Sequence, residues 1–552
     1  MLPRQSLSTA QIASKIRTYL DLSLLSSATF LAGRFHAQVK TQESLNLLAT
    51  CYRREYGPED AYILLSASNG SLSIQNIYLH ALCAYESKKL EHSEKILTQL
   101  TNYREWQPGN LPQSKEYLAA AYTLLGNIQK KKSNTKGAQA SYIASLRMDA
   151  LLWTPFRELC DIGCNVEHCL RPNQVSYGNN GVGTNDILDG VAGNKSSTEV
   201  EKPQTKNGIG SVGAVEKDDA SGIILKHLHC IANGYNQMSL FQCREAVRSF
   251  ESLPKEQLNT PYVLTLIAKA YFELTEYGQA KLCFEKLTNM ELLKTHGMAL
   301  YSTTLWLLKD EVALSYLARG VIDSGIASPE TWCVIGNCFS LQKEHETAIS
   351  FFQRAIQLDV RYAYAYTLSG HEFVSNEDFD KALDCYRHAI RIEPRQYNAW
   401  YGLGIIYFRQ EKYNLSYHHF KRALSINPNS SVLLCYIGMV ISQMGEKNIP
   451  QAMVAFEKAS SLEPRNPQAR YQRALLLLKL NRLDEALQEL YLVRDFAPAE
   501  ASVCFEIGKV CMQLCRYDEA RINFNAAHDL DPKNANMYKS YMDKLNERIT
   551  LS

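Results

Sequence analysis

From Pro329 onward, small, aromatic and apolar residues return at a fixed interval of 34 positions. Trp332, Gly336, Phe339, Ala348, Phe352 and Ala355 recur as Tyr366, Gly370, Phe373, Ala382, Tyr386 and Ala389, and again as Trp400, Gly404, Tyr407, Ser416, Phe420 and Ala423. A fourth unit carries Gly438, Ala452, Phe456 and Ala459, with its second half displaced two residues by a turn around 446–449. A fifth carries Ala474, Ala486 and Leu490, and a sixth carries Gly508, Ala520, Phe524 and Ala527. Pro394, Pro428, Pro464, Pro498 and Pro532 punctuate the units.

A 34-residue period with this order of small and aromatic residues is the tetratricopeptide pattern, in which each unit is a helical hairpin. The small residue on the first helix and the alanine on the second let the two backbones approach, so Gly404 reads as a packing residue. Gly402 lies outside the periodic set, at a place that faces the groove of such a hairpin stack, and reads as room left for a ligand. Upstream the signal weakens: Ala246 and Phe250, then Ile267, Ala268, Tyr271, Ala280 and Phe284, fit two more units, and 295–328 a degenerate one.

The expected fold is therefore all-α, a tetratricopeptide-repeat solenoid (α-α superhelix) in two blocks separated by a disordered linker. The divisions are an N-terminal block at 1–170, with hairpins seen in Ala49, Tyr52, Ala61, Ala81, Leu97, Leu125, Gly126, Ala138 and Tyr142; a linker at 171–222; degenerate repeats at 223–328; six repeats at 329–534; and a helical tail at 535–552. The linker is rich in Gly, Asn, Ser and Lys with almost no aromatics, and cannot build a core.

Composition narrows the function classes. The formal charge is +2 over 552 residues, without the one-sided excess that a phosphate backbone or an anionic membrane favours, so neither nucleic acid nor membrane is an expected partner. The polar N-terminus and the lack of a long apolar run predict an intracellular protein. Fifteen cysteines occur without any C-x-x-C pair and read as reduced, mostly buried thiols. Cys160, Cys164 and His168 fall four apart and could line one helix face, but no second ligand pair complements them, and neither metal nor cofactor is expected. His418, His419 and His345 occupy places where solvated side chains are expected, and no nucleophile, base and orienting acid can be assembled. A repeat array preceding a catalytic domain finds no room after Pro532, so the chain reads as noncatalytic.

The groove places of the first helices hold Asn337, Tyr364, Thr367, His371, Asn398, Tyr401, Ile405 and Phe408, with Glu372 nearby. Apolar pockets with a few amide, hydroxyl and imidazole groups suit an extended peptide and its terminal carboxylate. A generic tetratricopeptide adaptor, of the co-chaperone or transport-complex kind, is the competing reading. Its carboxylate clamp would need cations and amides where Cys333, Leu368, Asn398 and Gly402 stand; only Asn337 fits.

The stretches "SPETWCVIGNCFSLQKEHETAISFFQRAIQLD", "YAYAYTLSGHEF" and "YNAWYGLG", with "ATFLAGRF", "LLATCY" and "LLWTPFRELCDIG" near the N-terminus, resemble the cell division cycle protein 27 family, subunit 3 of the anaphase-promoting complex (cyclosome). The resemblance implies a scaffold in the nucleus and cytoplasm whose N-terminal block pairs with a second copy and which contacts other tetratricopeptide subunits. It implies too that the C-terminal superhelix receives Ile-Arg tails of coactivators and of the doc-domain subunit. For such a tail, Glu372, Tyr364, Tyr401 and Phe408 would take the arginine, and Asn337, Asn398 and His371 the carboxylate. The family's linker is long and rich in Ser-Pro and Thr-Pro; this one has neither, so phosphorylation control through it is not implied. The three such dipeptides, at Thr154, Thr260 and Ser328, fall at helix starts where proline is good structure.

Overall fold

The computed structural model describes residues 8–68, 72–101, 113–164, 166, 220–290, 297–464 and 466–551. Every regular element among them is a helix. Residues 171–219 of the proposed linker and His168 lie outside the described residues. The chain divides into two compact units, Met1–Ser239 and Leu240–Ser552.

In the second unit the first helices of the six repeats are Pro329–Leu341, Ala363–Ser375, Tyr397–Arg409, Ser431–Gln443, Pro467–Lys479 and Ala501–Gln513. Their partners are His345–Leu358, Phe379–Ile392, Tyr413–Ile426, Ile449–Leu462, Leu483–Phe496 and Tyr517–Leu530. A 3-10 turn, Glu446–Asn448, supplies the two-residue displacement in the fourth repeat. Upstream, Cys243–Glu251, Tyr277–Asn289 and Glu311–Asp323 keep the same 34-residue phase as His345–Leu358, so the period persists through the degenerate repeats. The terminal helix Ala535–Leu551 closes the stack, with Tyr538 and Leu545 buried and the Tyr538 ring edge-on to Phe505.

The paired small and aromatic residues explain how the hairpins close. A Cβ added at Gly336, Gly370, Gly404, Gly438 or Gly508 would fall 2.3–2.7 Å from the ring of Phe352, Tyr386, Phe420, Phe456 or Phe524, the aromatic on the partner helix. Each ring is fully or almost fully buried, and burying one contributes about 2–3 kcal/mol. The N-terminal unit repeats the device with Gly126 against Tyr142.

Between the two helices of each hairpin the chain passes through one left-handed residue. Phe241, Thr275, Lys309, Lys343, Glu377 and Glu411 recur every 34 positions with φ between 55° and 65°, followed by Gly445, Asn481 and Cys515. At Lys343 this conformation lets the Lys343 N–H reach the Ser340 carbonyl and the Glu344 N–H reach that of Phe339, satisfying the last carbonyls of the helix. A side chain strains this conformation where glycine would not. Lys343→Gly and Glu411→Gly are therefore each expected to raise stability by about 0.5–1 kcal/mol, read as a higher midpoint in thermal unfolding; a lowered midpoint in both would refute the turn-strain account.

The first unit stacks hairpins from Thr9–Asp21 to Trp153–Ile162 and ends with Ala220–Ser239. That last helix is a correction to the domain boundary expected at 223: Ala232 packs on the core formed by Phe156, Leu159 and Cys160, Tyr235 stacks edge-on against Trp153, and the Tyr235 hydroxyl donates to Asp161. Cys160 is buried, with Asn236 as a hydrogen-bond partner at 3.9 Å, and burial suits a packed thiol. Among the described residues no group of His, Cys, Asp and Glu could hold a metal ion, none of the described cysteines is in a disulfide, and no helix is long and apolar enough to cross a membrane.

Candidate peptide groove

The first helices of the second unit carry the expected groove residues on consecutive hairpins, and the structure divides them into two groups. Asn337, Thr367 and Glu372 are buried. Asn337 Nδ2 donates to Ser302 Oγ at 2.8 Å and to Thr303 Oγ1 at 3.0 Å, both on the preceding hairpin. Thr367 donates to the Ala363 carbonyl of its own helix at 3.2 Å. Both Glu372 oxygens are filled: Ser340 donates to one at 2.7 Å and His345 Nδ1 to the other at 2.7 Å. Trp306 Nε1 donates in turn to Ser340 Oγ. Asn337 and Glu372 cross-link adjacent repeats, and Thr367 is bonded to the backbone of its own helix. Periodicity placed them on the right face, but the neighbouring hairpin covers them there.

Tyr364, His371, Asn398, Tyr401, Ile405 and Phe408 are only partly buried. The Tyr364 hydroxyl shares a 2.6 Å hydrogen bond with Thr303 Oγ1, and burial pushes its pKa up. His371 Nδ1 lies 2.9 Å from the Tyr386 hydroxyl. Burial pushes the His371 imidazole down to about 4, so the ring is neutral at physiological pH. With Tyr386 donating its O–H to Nδ1, the remaining proton sits on Nε2, which becomes a donor. Tyr401 meets Tyr436 edge-on at 5.3 Å and Phe420 at 5.9 Å, and Phe408 meets Tyr413 at 6.0 Å, giving an aromatic wall one hairpin beyond the imidazole.

Two sequence expectations need correcting. A Cβ on Gly402 would fall 2.2 Å from Cζ of Tyr386, so this glycine is filled by the ring of the preceding repeat and leaves no room for a ligand. The Tyr386 ring is thus seated between Gly370 and Gly402, and Tyr397–Arg409 carries two glycines because Gly402 receives Tyr386 and Gly404 receives Phe420. His419 is not solvated: it is stacked between Trp400, at 5.8 Å, and Tyr407, at 5.2 Å. Its Nδ1 is buried without a hydrogen-bond partner in the described structure, and desolvation, with His418 and Arg387 nearby, pushes its pKa down to about 4.

Sequence periodicity missed a set of contacts within the second unit that join residues far apart in the chain. The Tyr397 hydroxyl donates to Glu273 at 2.7 Å, across 124 positions. Thr275 Oγ1 donates to Glu463 at 2.6 Å, and Asn429 Nδ2 donates to the Phe241 carbonyl at 3.0 Å, each across 188 positions. The Phe241 ring meets Tyr397 edge-on at 5.5 Å. No local pattern signals such pairs; the left-handed β-branched Thr275 is the one hint, legible only once the turn phase is known.

The family described as anaphase-promoting complex, cyclosome, subunit 3 matches residues 21–100, and tetratricopeptide families match residues 261–291, 329–359, 397–430 and 501–534. The chain is 46% identical over 329 residues to cell division cycle protein 27 homolog A of Arabidopsis thaliana, covering 59% of this chain and 46% of that protein. It is 38% identical over 345 residues to anaphase-promoting complex subunit 3 of Schizosaccharomyces pombe, covering 62% of this chain and 51% of that protein. The chain thus spans about half the length of these relatives. The crystal structure of the APC/C hetero-tetramer Cut9-Hcn1 matches 98% of this chain and 97% of that chain with a TM-score of 0.68; at 16% identity this is a likeness of fold. The subunit 3 match on the N-terminal helices and identities of 38% and 46% over part of each relative make this chain similar to proteins named cell division cycle protein 27 and anaphase-promoting complex subunit 3.

Proposed function

We propose that this chain is a noncatalytic scaffold subunit of an anaphase-promoting complex, acting in the nucleus and cytoplasm, and that its second unit receives Ile-Arg C-terminal tails of coactivators and of the doc-domain subunit. The observation that carries this reading is the similarity to proteins named for that subunit, together with a groove that pairs an imidazole donor with an aromatic wall. In this reading His371 Nε2–H and the Asn398 amide take the terminal carboxylate, Ile405 and Phe408 take the isoleucine, and the faces of Tyr401 and Phe408 take the guanidinium by cation–π attraction. Tyr364 borders the carboxylate end. Because Glu372 is spent on Ser340 and His345, rings rather than a carboxylate read the arginine.

The N-terminal unit is proposed to pair with a second copy. Large apolar side chains left exposed on its first hairpins, Leu22, Leu24, Phe30, Tyr56 and Ile63, support a self-association face. A pair would offer two grooves, and two tails of one assembly would then bind with raised effective concentration, each contact staying reversible. Other tetratricopeptide subunits would join the same assembly, and a coactivator so held would support ubiquitination of cell-cycle proteins.

The test is equilibrium binding of a fluorescent peptide ending in Ile-Arg to the full chain, beside the same peptide amidated at its C-terminus and one ending in Ala-Ala. Saturable binding lost in both controls is expected, and His371→Ala should weaken it about tenfold, the worth of one charge-assisted hydrogen bond. Equal binding of all three peptides would sink the groove assignment. Preference for an acidic Met-Glu-Glu-Val-Asp tail would favour the generic adaptor instead.

A further inference from the structure

The long-range contacts gather at two hairpin tips. Phe241 and Thr275 are the left-handed residues of the first two turns of the second unit, and both reach loops that lead into much later repeats: Asn429 before Ser431–Gln443, and Glu463 before Pro467–Lys479. Between them lies Tyr397, the first residue of Tyr397–Arg409, bonded to Glu273 and packed against Phe241. A stack of hairpins held only by neighbour contacts leaves its pitch soft, because each small rotation between repeats accumulates along the array. Contacts between the early tips and the late loops remove that freedom by closing one superhelical turn on itself.

We propose that these tips form a clasp that fixes the pitch of the superhelix, and that releasing it lets the second unit extend. Thr275 is a β-branched residue in a conformation that disfavours it, φ 61°, so the turn is strained while its hydroxyl is held on Glu463. Tyr397 joins the clasp to Asn398, Tyr401, Ile405 and Phe408 on one helix, so opening would re-aim that helix. This inference rests on the contacts alone and stands whether or not the groove takes Ile-Arg tails.

The substitution Thr275→Gly deletes the hydroxyl that holds Glu463 while easing the turn rather than straining it further. Lys309→Gly is its control: the same turn position one repeat later, with an exposed side chain. Full-chain protein is compared by hydrogen exchange at 239–243, 273–277 and 397–409 and by small-angle X-ray scattering, with circular dichroism to show unchanged helicity. Thr275→Gly should speed exchange at the tips and at the start of Tyr397–Arg409 about tenfold or more, the factor expected for one lost bond to a charged acceptor, and should raise the radius of gyration; Lys309→Gly should do neither. Adding Tyr397→Phe should extend the chain further. Exchange within twofold of wild type in the double variant, with an unchanged radius of gyration, would overturn the clasp.

Discussion

Tyr386→Ala is expected to destabilise the second unit by about 3–5 kcal/mol, the range for removing a fully buried aromatic. The ring is 0% exposed, is seated between Gly370 and Gly402, and its hydroxyl fixes His371. Gly402→Ala alone should cost about 1–3 kcal/mol, because its methyl would meet Tyr386 Cζ at 2.2 Å and the ring has no empty side to move toward. The decisive measurement is the double variant. With Tyr386 reduced to alanine the clash vanishes, so Gly402→Ala should cost close to nothing in that background and the two effects should fail to add. Strict additivity, measured by urea unfolding followed by helicity, would show that the glycine is there for another reason.

Acid should loosen both units as buried histidines take up protons. His80 in the first unit, and His371 and His419 in the second, are pushed down from 6.5 to about 4, in each case chiefly by burial, with His92 adding to the effect at His80. A base whose folded pKa is depressed binds its proton more readily in the unfolded chain. The stability it contributes is complete above 6.5 and is lost progressively as the pH falls toward 4. At pH 5 the two second-unit histidines together should cost about 2–4 kcal/mol relative to pH 7.5. Glu273 works the other way: burial raises its pKa, so its ionisation penalises the folded state at higher pH and is relieved in acid. Calorimetric scans between pH 7.5 and 5 should show the midpoint falling, and His419→Gln should flatten the dependence by removing one of the two titrations. A midpoint that rises toward pH 5, or a His419→Gln slope equal to wild type, would contradict the assignment.

The repeat was legible because each hairpin solves the same packing problem with the same residues. Gly336 with Phe352 and Gly404 with Phe420 set the period, and even the two-residue displacement at Glu446–Asn448 could be read from the shift of Ala452 and Phe456. The groove was legible only in outline. Period gives the face a residue occupies but not how far the next hairpin covers that face, so Asn337, Thr367 and Glu372 read as ligand groups when all three are buried, Asn337 and Glu372 as inter-repeat cross-links and Thr367 bonded to its own helix. Gly402 was misread for a related reason: its partner, Tyr386, belongs to the previous unit and is a tyrosine where four of the other five repeats carry phenylalanine and the fifth carries Leu490. The helix Ala220–Ser239 was assigned by proximity to the wrong unit, because its partners Trp153 and Cys160 lie on the far side of the proposed linker.

Arrays whose members touch only adjacent members can gain or lose a member by duplication or deletion at little cost, since every junction is equivalent. The bond from Thr275 to Glu463 breaks that equivalence. One hairpin more or fewer between those residues would carry the tip past its loop and leave a buried tyrosine–glutamate pair mismatched at Tyr397 and Glu273. The distance spanned therefore acts as a ruler: between Thr275 and Glu463 a change in the number of repeats would break the clasp.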